Sequence, residues 1–444
     1  MFSKILVANR GEIALRIVCA CRELGIRTSV AHSQLDADSL PVRLADEAVC
    51  IGPASTAQSY LSVAAIVTAA TMVGADAVHP GYGFLSESAA LAEACTAAGV
   101  AFIGPSPDVL RLFGDKARAR GVMLAAGLPI VPGTDSFDTQ DEGIRLADTL
   151  GFPLLIKATA GGGGRGLRVV RTGADLDPGL AAARREAVAA FGDARLYLER
   201  YIDEPRHVEL QILADQTRVV LAGDRECTLQ RRHQKLLEEA PAVGLSEPCR
   251  QRLGDLVVAA ARAVGYRGAG TFEFLVDRDG EAFFIEANAR IQVEHPVTEM
   301  VTGVDLVKEQ IRVAAGEGLS LAHTETRAVG HAIECRVNAE HAYTGRPAPG
   351  MIRTLIAPGG PGVRVDTYAH AGCMIWPHYD ALVAKVITHG HDRGEAIARM
   401  RRALGMFVIE GIETTVPLHL RVLSDPDFLA GRFTTGFLER FALV

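Results

Sequence analysis

Residues 157–166 read Lys-Ala-Thr-Ala-Gly-Gly-Gly-Gly-Arg-Gly and give the strongest single indication of the fold. The run follows the apolar segment 152–156, which has the composition of a short strand. Four successive glycines let the backbone approach a ligand closely, and free N–H groups beside Lys157 suit the oxygens of a polyphosphate. The spacing matches neither the Walker loop nor the dinucleotide fingerprint. Taken alone, the run is equally consistent with a flexible surface loop.

The composition restricts the class of protein. The chain has 444 residues, of which 48% are hydrophobic and 22% charged, typical of a globular protein with two or three domains. A net charge of -7 argues against nucleic-acid binding through phosphate neutralisation. We expect neither a membrane span nor a signal peptide, because no long uncharged apolar run occurs and the first residues enter a strand. Eight scattered cysteines without a Cys-x-x-Cys pair indicate reduced thiols and a cytoplasmic protein.

The first hundred residues alternate between strand-like and helix-like segments. We expect strands at 5–8, 28–31, 75–78 and 101–104, and helices at 12–23, near 58–72 and near 86–98. This alternation predicts a parallel sheet with crossover helices. Pro105 and Pro107 then suggest a linker. A second unit from about 131 to 201 carries the glycine run and is small enough to act as a mobile lid.

Two strand-like runs, 270–276 and 282–288, flank the turn Asp279-Gly280 and predict a β-hairpin. The two-residue period of a strand turns Glu273 away from its phenylalanine neighbours and puts Glu286 and Asn288 on one face. Two carboxylates and an amide oxygen suit Mg²⁺ or Mn²⁺ bridging nucleotide phosphates. An exposed polar face is the alternative. The aromatic residues of the same strands and the polar segment 290–296 favour the metal site.

Three further segments carry charged side chains. Residues 225–239 contain Arg225, Arg231, Arg232, His233 and Lys235, which indicate an anion site or, equally, a solvated charged face. The strand-like segment 330–340 places Glu334, Arg336 and Asn338 on one face, where a structural ion pair is the commoner role for an arginine. Segments 199–202 and 205–209 suit hinge and adenine-edge contacts only weakly. We expect Cys227 and Cys335 to be small buried residues.

Together these segments resemble the biotin carboxylase family of ATP-grasp enzymes over essentially the whole chain. The most specific matches are His-Pro-Gly-Tyr-Gly-Phe-Leu-Ser-Glu at 79–87, Gln-Arg-Arg-His-Gln-Lys at 230–235 and Arg-Ile-Gln-Val-Glu-His-Pro-Val-Thr-Glu at 290–299, with Ala-Asn-Arg-Gly-Glu-Ile-Ala at 8–14. The resemblance implies an N-terminal parallel α/β domain at 1–113, an ATP-grasp domain at 114–330 with a glycine-loop lid at about 131–202, and a mixed α+β C-terminal domain at 331–444.

The resemblance also implies roles for individual residues. The ATP phosphates would be held by Lys116, Lys157, Gly163 and Gly164, and the adenine and ribose by Glu199, Arg200, Tyr201, Ile202, His207 and His233. Two Mg²⁺ or Mn²⁺ ions would be bound by Glu273, Glu286 and Asn288, and bicarbonate by Lys235, Arg290, Gln292 and Val293. Glu294 matches the general base, and Arg336 matches the residue that faces the biotin ureido group.

The implied activity is ATP- and bicarbonate-dependent carboxylation of biotin on a carrier protein, through carboxyphosphate, giving ADP and phosphate. This is the first half-reaction of an acyl-CoA carboxylase of fatty acid biosynthesis. The resemblance implies a carboxyltransferase as a partner beside the carrier protein, and a homodimer as the oligomeric state. The chain contains no Met-Lys-Met biotinylation signature, so biotin would arrive on another polypeptide. A ligase for a different carboxylate is disfavoured by Lys235, Arg290 and Gln292 around Glu294. A regulatory subunit without turnover is disfavoured because Glu286, Glu294 and Arg336 are all present.

The chain departs from the family pattern at several positions. These are Ala160, Ala289, the order Asp224-Arg225-Glu226, His378, and the loop that begins His341-Ala342-Tyr343-Thr344-Gly345-Arg346. None of them removes a ligand or the base, so we expect an active enzyme. We expect the loop at 341–348 to alter how the carrier or biotin approaches.

Overall fold

The structure is a computed structural model that describes residues 1–160, 167–321 and 326–441. The glycines at 161–164, including the predicted phosphate-binding Gly163 and Gly164, lie outside the described residues. Three sheets of three or more strands organise the described chain. Within it, no helix combines the length and the apolar character that crossing a membrane requires.

The N-terminal region is a parallel sheet of five strands. The strands are β1 (Lys4–Val7), β2 (Arg27–Ser33), β3 (Glu47–Gly52), β4 (Ala77–His79) and β5 (Ala101–Phe102), and the helices are α1 (Gly11–Glu23), α2 (Leu40–Leu44), α3 (Val63–Met72), α4 (Ala89–Ala97) and α5 (Pro107–Gly114). The order β3-β2-β1-β4-β5, with every pair parallel, confirms the predicted α/β region. In β1, Ile5, Leu6 and Val7 are all fully buried, as expected for a strand covered on both faces.

The predicted linker at Pro105 and Pro107 is wrong. Pro107 is the first residue of α5, and the Ser106 hydroxyl accepts a hydrogen bond from the Val109 N–H at 3.4 Å. A proline is well tolerated at the first helical position, because that residue has no intrahelical N–H partner to lose.

The loop after β4 is fixed against the end of β1. The Asn9 side chain donates hydrogen bonds to the carbonyls of Pro80 at 2.7 Å and Tyr82 at 2.8 Å. Gly81 between them has φ +63°, and a Cβ there would lie 3.0 Å from the Asn9 amide nitrogen. The loop therefore needs glycine at this position.

A second, three-stranded sheet forms the unit predicted as a lid. Its strands are β6 (Leu154–Ala158), β7 (Leu167–Val170) and β8 (Leu196–Arg200), in the order β7-β6-β8, and the helices of this part of the chain are α6 (Lys116–Ala125), α7 (Gln140–Leu150) and α8 (Gly173–Phe191). Residues Phe137, Leu154, Leu180 and Leu198 belong to a separate small core. A unit with its own core is consistent with independent movement, which stays a prediction.

The third sheet has eight antiparallel strands. The remaining strands are β9 (Arg206–Ala214), β10 (Val219–Arg231), β11 (Gln234–Ala240), β12 (Gly268–Val276), β13 (Ala282–Asn288), β14 (His331–Asn338), β15 (Gly350–Met351), β16 (Thr354–Ile356), β17 (Val363–Thr367), β18 (Met374–Ile375), β19 (Leu382–Gly390) and β20 (Val408–Glu410). The sheet order is β13-β12-β9-β10-β11-β14-β19-β17, while β15 pairs with β18 and β16 with β20. The sheet is therefore continuous across residue 330, where the sequence predicts a domain boundary.

Helices cover this sheet and bury its apolar side chains. They are α9 (Glu247–Ala263), α10 (His295–Thr302), α11 (Leu306–Ala314), α12 (Arg393–Met406), α13 (Val416–Val422) and α14 (Pro426–Leu429). In the largest core, Phe272 of β12 is fully buried and its ring lies against those of Phe113 and Phe284, with centroids 6.0 and 6.1 Å away. The aromatic residues that made the hairpin recognisable thus hold it in the core.

Replacing Phe272 by Ala is expected to lower the free energy of unfolding by about 3–5 kcal/mol, because the lost ring leaves a cavity between rigid elements. Urea unfolding followed by circular dichroism measures the change. Phe152→Ala is the matched control, since that ring is 37% exposed. Equal losses for the two variants would contradict the placement of Phe272 in the core.

Candidate active site

A cleft of about 1560 Å³ is lined by residues of the three-stranded unit and of the eight-stranded sheet. Nine residues predicted for ATP or metal binding line it: Lys116, Lys157, Glu199, Arg200, Tyr201, Ile202, His207, His233 and Glu286. These positions are spread over 170 residues of sequence, from Lys116 to Glu286. The structure therefore brings the predicted nucleotide-binding set together around one cavity.

Two lysines with carboxylate partners stand in this cleft. Lys157 of β6 lies with its Nζ 2.6 Å from the Glu199 carboxylate, and Lys116 of α6 is paired with Glu286. Burial alone would lower the pKa of Lys116, but the Glu286 carboxylate raises it above its ordinary value. Lys116 is therefore charged at neutral pH, and a charged ammonium is suited to phosphate oxygens.

The predicted hairpin is confirmed. Strands β12 and β13 are antiparallel, with Glu273 opposite Glu286 and Thr271 opposite Asn288. The Asn288 amide donates to Glu273 Oε1 at 2.7 Å. Burial alone would raise the pKa of Glu273, but Lys235 and His207 hold it well below the usual range. Ionised carboxylates and an amide oxygen on neighbouring rigid strands fit Mg²⁺ or Mn²⁺, which take oxygen ligands.

The Lys235 ammonium is the centre of the charged cluster beneath the cleft. Its Nζ lies 2.6 Å from Glu209, 3.0 Å from Glu273 and 2.7 Å from Glu294. Glu209 was not predicted as a site residue, although it belongs to the segment 205–209. Buried Arg225 also contacts Glu209 and donates to Gln211 at 2.8 Å. The positive charges of Lys235 and Arg225 thus balance the negative charges of the buried carboxylates.

Glu294 immediately precedes α10 and is completely buried. One carboxylate oxygen contacts Lys235, and the other accepts a hydrogen bond from Arg336 at 2.9 Å. Burial alone would raise the pKa of Glu294, but Lys235 and Arg336 hold it well below its usual range. Glu294 is therefore an ionised carboxylate held between two cations.

Arg290 is held with its guanidinium edge towards the same cluster. It donates to Asn288 Oδ1 at 2.7 Å and to Gln292 Oε1 at 2.9 Å, and Gln292 donates to Glu273 at 3.0 Å. Glu87, from the loop after β4, accepts from Arg290 at 3.0 Å and from the Ala289 N–H at 3.0 Å. Glu87 belongs to the 79–87 motif, but its role was not predictable, because this contact joins residues far apart in sequence.

The basic residues of segment 225–239 do not form one cluster. Arg225 is fully buried in its own hydrogen-bond network, Arg231 pairs with Glu340, and Lys235 points into the carboxylate cluster. Arg232 and His233 occupy the turn between β10 and β11, with φ +52° and +62°, and line the cleft. Neither a single anion site nor a uniformly solvated face describes them.

Ala342, Tyr343 and Thr344 of the loop at 341–348 line this cleft. The expected effect of the loop on the approach of the carrier or biotin stays a prediction. Cys227 and Cys335 are fully buried, as predicted.

Comparisons with known proteins agree with this architecture. Residues 1–110 match the biotin carboxylase N-terminal domain, residues 115–322 the ATP-binding domain of the carbamoyl-phosphate synthase L chain, and residues 334–440 the biotin carboxylase C-terminal domain. The biotin carboxylase of Allochromatium vinosum is 53% identical over 443 residues, which is 99% of this chain and 98% of the relative.

Two solved structures are similar throughout. The Campylobacter jejuni biotin carboxylase–β-γ-ATP complex has a TM-score of 0.97 at 43% identity and covers 99% of both chains. The biotin carboxylase domain dimer of Hydrogenobacter thermophilus 2-oxoglutarate carboxylase, in complex with MgADP, ADP and bicarbonate, has a TM-score of 0.96 at 47% identity and covers 99% and 98%.

The ATP-binding domain and the cleft place this chain among ATP-dependent ligases of the ATP-grasp class. More narrowly, the chain belongs to the biotin carboxylase family. The predicted resemblance, fold class and enzyme class are thereby confirmed, as are ATP-dependent carboxylation of biotin and the use of Mg²⁺. The assigned site residues and the exact domain bounds stay predictions.

Proposed function

We propose that this chain carboxylates carrier-bound biotin in two steps through carboxyphosphate, with Glu294 as the base. The observation that carries the proposal is the position of Glu294, fully buried between Lys235 and Arg336 beside the cleft. A carboxylate between two cations suits a reaction in which a small anion must lose a proton and keep its negative charge nearby.

Bicarbonate would lie between Arg290 and Lys235, with Gln292 and Val293 completing its pocket. Arg290 offers a planar fork of donors to the oxyanion, and Lys235 offers a point charge. Binding of the anion draws both cations away from the carboxylates, which raises the pKa of Glu294 and improves it as a base. Deprotonated bicarbonate then attacks the terminal phosphate of ATP.

The cleft would position ATP for that attack. Lys116 and Lys157 would hold the phosphates, and His207 and His233 would contact the ribose side. Bound at Glu273, Glu286 and Asn288, two Mg²⁺ or Mn²⁺ ions would neutralise the terminal phosphate. Carboxyphosphate hydrolyses in water, so we infer that the three-stranded unit closes over the cleft during turnover.

Arg336 would serve the second step. Carboxyphosphate breaks down to CO₂ and phosphate, and the phosphate takes the ureido proton of biotin. The guanidinium stabilises the resulting enolate-like anion, whose nitrogen attacks CO₂ to give carboxybiotin. In the structure Arg336 Nη2 lies 2.9 Å from Glu294 and 2.5 Å from Glu238, so the guanidinium stands next to the proposed base.

Replacing Arg336 by Ala is expected to lower biotin-dependent turnover by ~10²–10³-fold, the usual cost of one transition-state charge donor. Bicarbonate-dependent ATP hydrolysis without biotin should fall much less, because Arg336 does not hold the phosphates. ADP release, measured with and without biotin, separates the two. Equal loss of both activities would give Arg336 a structural role.

The reaction class is tested by ADP release with bicarbonate and free biotin omitted in turn. We expect slow ADP release with bicarbonate alone and faster release with both. ADP release that does not depend on bicarbonate would overturn the proposed function.

The proposed partners are a biotin carboxyl carrier protein and a carboxyltransferase, which together complete an acyl-CoA carboxylase of fatty acid biosynthesis.

Since the similar Hydrogenobacter thermophilus structure is a dimer, we propose a homodimer here as well. All eight cysteines are free, which supports the proposed cytoplasmic location. Size-exclusion chromatography with light scattering tests the dimer.

A further inference from the structure

Three charged residues stand in one row across neighbouring strands of the large sheet. Arg336 of β14 is directly opposite Lys385 of β19, and Lys385 is directly opposite Asp366 of β17. Directly opposed residues of antiparallel strands project to the same face of the sheet. Arg336 and Lys385 therefore reach in the same direction, towards the segment that carries the proposed base.

The two cations hold consecutive residues of that segment. Arg336 donates to the Glu294 side chain, and the Lys385 ammonium donates to the backbone carbonyl of Val293 at 2.7 Å. The Val293 carbonyl belongs to the peptide unit that leads into Glu294, where α10 starts. Fixing that carbonyl fixes the plane of the peptide, which contains the N and Cα atoms of Glu294, and so restricts the directions in which its side chain can leave the backbone.

Lys385 is buried far more completely than a lysine normally is. Its side chain is fully inaccessible, and Nζ lies 3.0 Å from Glu12 Oε1 and 3.9 Å from Asp366 Oδ2. Burial alone would lower the pKa of Lys385, but Glu12 and other carboxylates raise it above the ordinary value. The ammonium is thus charged, and charge-assisted hydrogen bonds are about twice as strong as neutral ones.

Glu12 connects this contact to the N-terminal region. It lies in the first turn of α1 and also accepts a hydrogen bond from the Tyr82 hydroxyl. Through its Nζ atom, Lys385 of the C-terminal strand β19 thereby contacts both Glu12 of the N-terminal region and Val293 of the ATP-binding region. The ammonium has three N–H donors, and the Val293 carbonyl accepts from one that Glu12 does not use. The same atom therefore ties the peptide before Glu294 to α1.

We propose that Lys385 is a positioning residue: its ammonium holds the Val293 carbonyl and so orients Glu294 for proton transfer. The proposal rests on the proposed function of Glu294 as base. It does not require Lys385 to touch a substrate. It also predicts that the positive charge can be removed without loss of folding, provided that the Glu12 charge is removed as well.

The test compares Lys385→Met, Lys385→Arg and the double variant Glu12→Gln/Lys385→Met. Misplacing a reacting group by about 1 Å costs on the order of 10²-fold, so we expect Lys385→Met to lose ~10²-fold in kcat/KM for bicarbonate. Affinity for MgATP, measured by calorimetry, should be unchanged. The double variant should regain the melting temperature of the unmodified chain but not the lost kcat/KM. Lys385→Arg, which keeps a positive charge, should keep part of the kcat/KM that Lys385→Met loses.

Lys4→Met is the matched control. Lys4 also donates to a backbone carbonyl, that of Val73 at 2.7 Å, and to a carboxylate, that of Glu47 at 3.0 Å, at the opposite end of β1 from the site. Full kcat/KM in the double variant would overturn the positioning role and leave only an ion pair. If the unmodified chain shows no bicarbonate-dependent ADP release, the proposed function fails first and this inference fails with it.

Discussion

Glu294→Gln is expected to lower biotin-dependent turnover by ~10²–10⁴-fold, the usual contribution of a positioned general base. The glutamine side chain keeps the size of the glutamate and an oxygen for the Arg336 hydrogen bond, so the local fold should survive. It has no lone pair basic enough to take the proton of bicarbonate. The loss should appear in kcat and not in the affinity for MgATP, because Glu294 does not line the nucleotide cleft.

Bicarbonate-dependent ADP release in the absence of biotin gives the direct measurement, since that partial reaction already requires the proton transfer. Glu309→Gln is the control, because Glu309 is also buried but pairs with Arg312 at 2.6 Å on α11. Turnover of the Glu294 variant within a few-fold of the unmodified chain would show that another group takes the proton.

The hairpin β12–β13 was predictable because all the information it needs is local. A two-residue period, aromatic residues and an Asp-Gly turn indicate the two strands and the turn between them. The exact pairing was not predicted, because a register shift between Glu273 and Phe274 places Glu273 opposite Glu286. The parallel N-terminal sheet was predictable for the same reason. Strand β3 was missed because its residues are mostly half-buried or exposed, as in an edge strand.

The distribution of the basic residues in 225–239 was not predictable. The pairing of β10 with β11 shifts register between Glu226 and Leu229 and again at Gln230, so the two-residue period does not continue through the strand. Arg225 therefore points into the core, while Arg231, six residues later, pairs with Glu340 outside it. The two-residue period of a strand sequence does not indicate where such bulges occur.

Contacts between distant segments were also beyond the local pattern. Glu87 holds Arg290, and Lys385 holds Val293, and each contact joins residues far apart in sequence. The family resemblance predicted residues that would contact substrates, but not the residues that hold those side chains and peptides in place. The three-dimensional arrangement was needed to find the second group.

Lys235→Met is expected to lower turnover by ~10²–10³-fold, as for loss of a main charge donor to an oxyanion. Three carboxylates, those of Glu209, Glu273 and Glu294, lie within 3.0 Å of its ammonium, and the methionine leaves their charges uncompensated at that point. Bicarbonate also loses one of its two proposed cations. Both effects disfavour negative charge in the pocket, so the substrate and the deprotonated base are destabilised together.

The same substitution gives a directional result with pH. Lys235 is the largest influence that lowers the pKa of Glu294, so removing it must raise that pKa. Because the base works only when deprotonated, the acid limb of kcat/KM for bicarbonate should move to higher pH in Lys235→Met. Lys308→Met is the control, since Lys308 of α11 pairs with Glu23 of α1 at 2.5 Å and should leave the profile unchanged. An unmoved acid limb in Lys235→Met would mean that the titrating group is not Glu294. Glu273 loses the same cation, so the Glu294→Gln variant is measured in parallel to assign the group that moves.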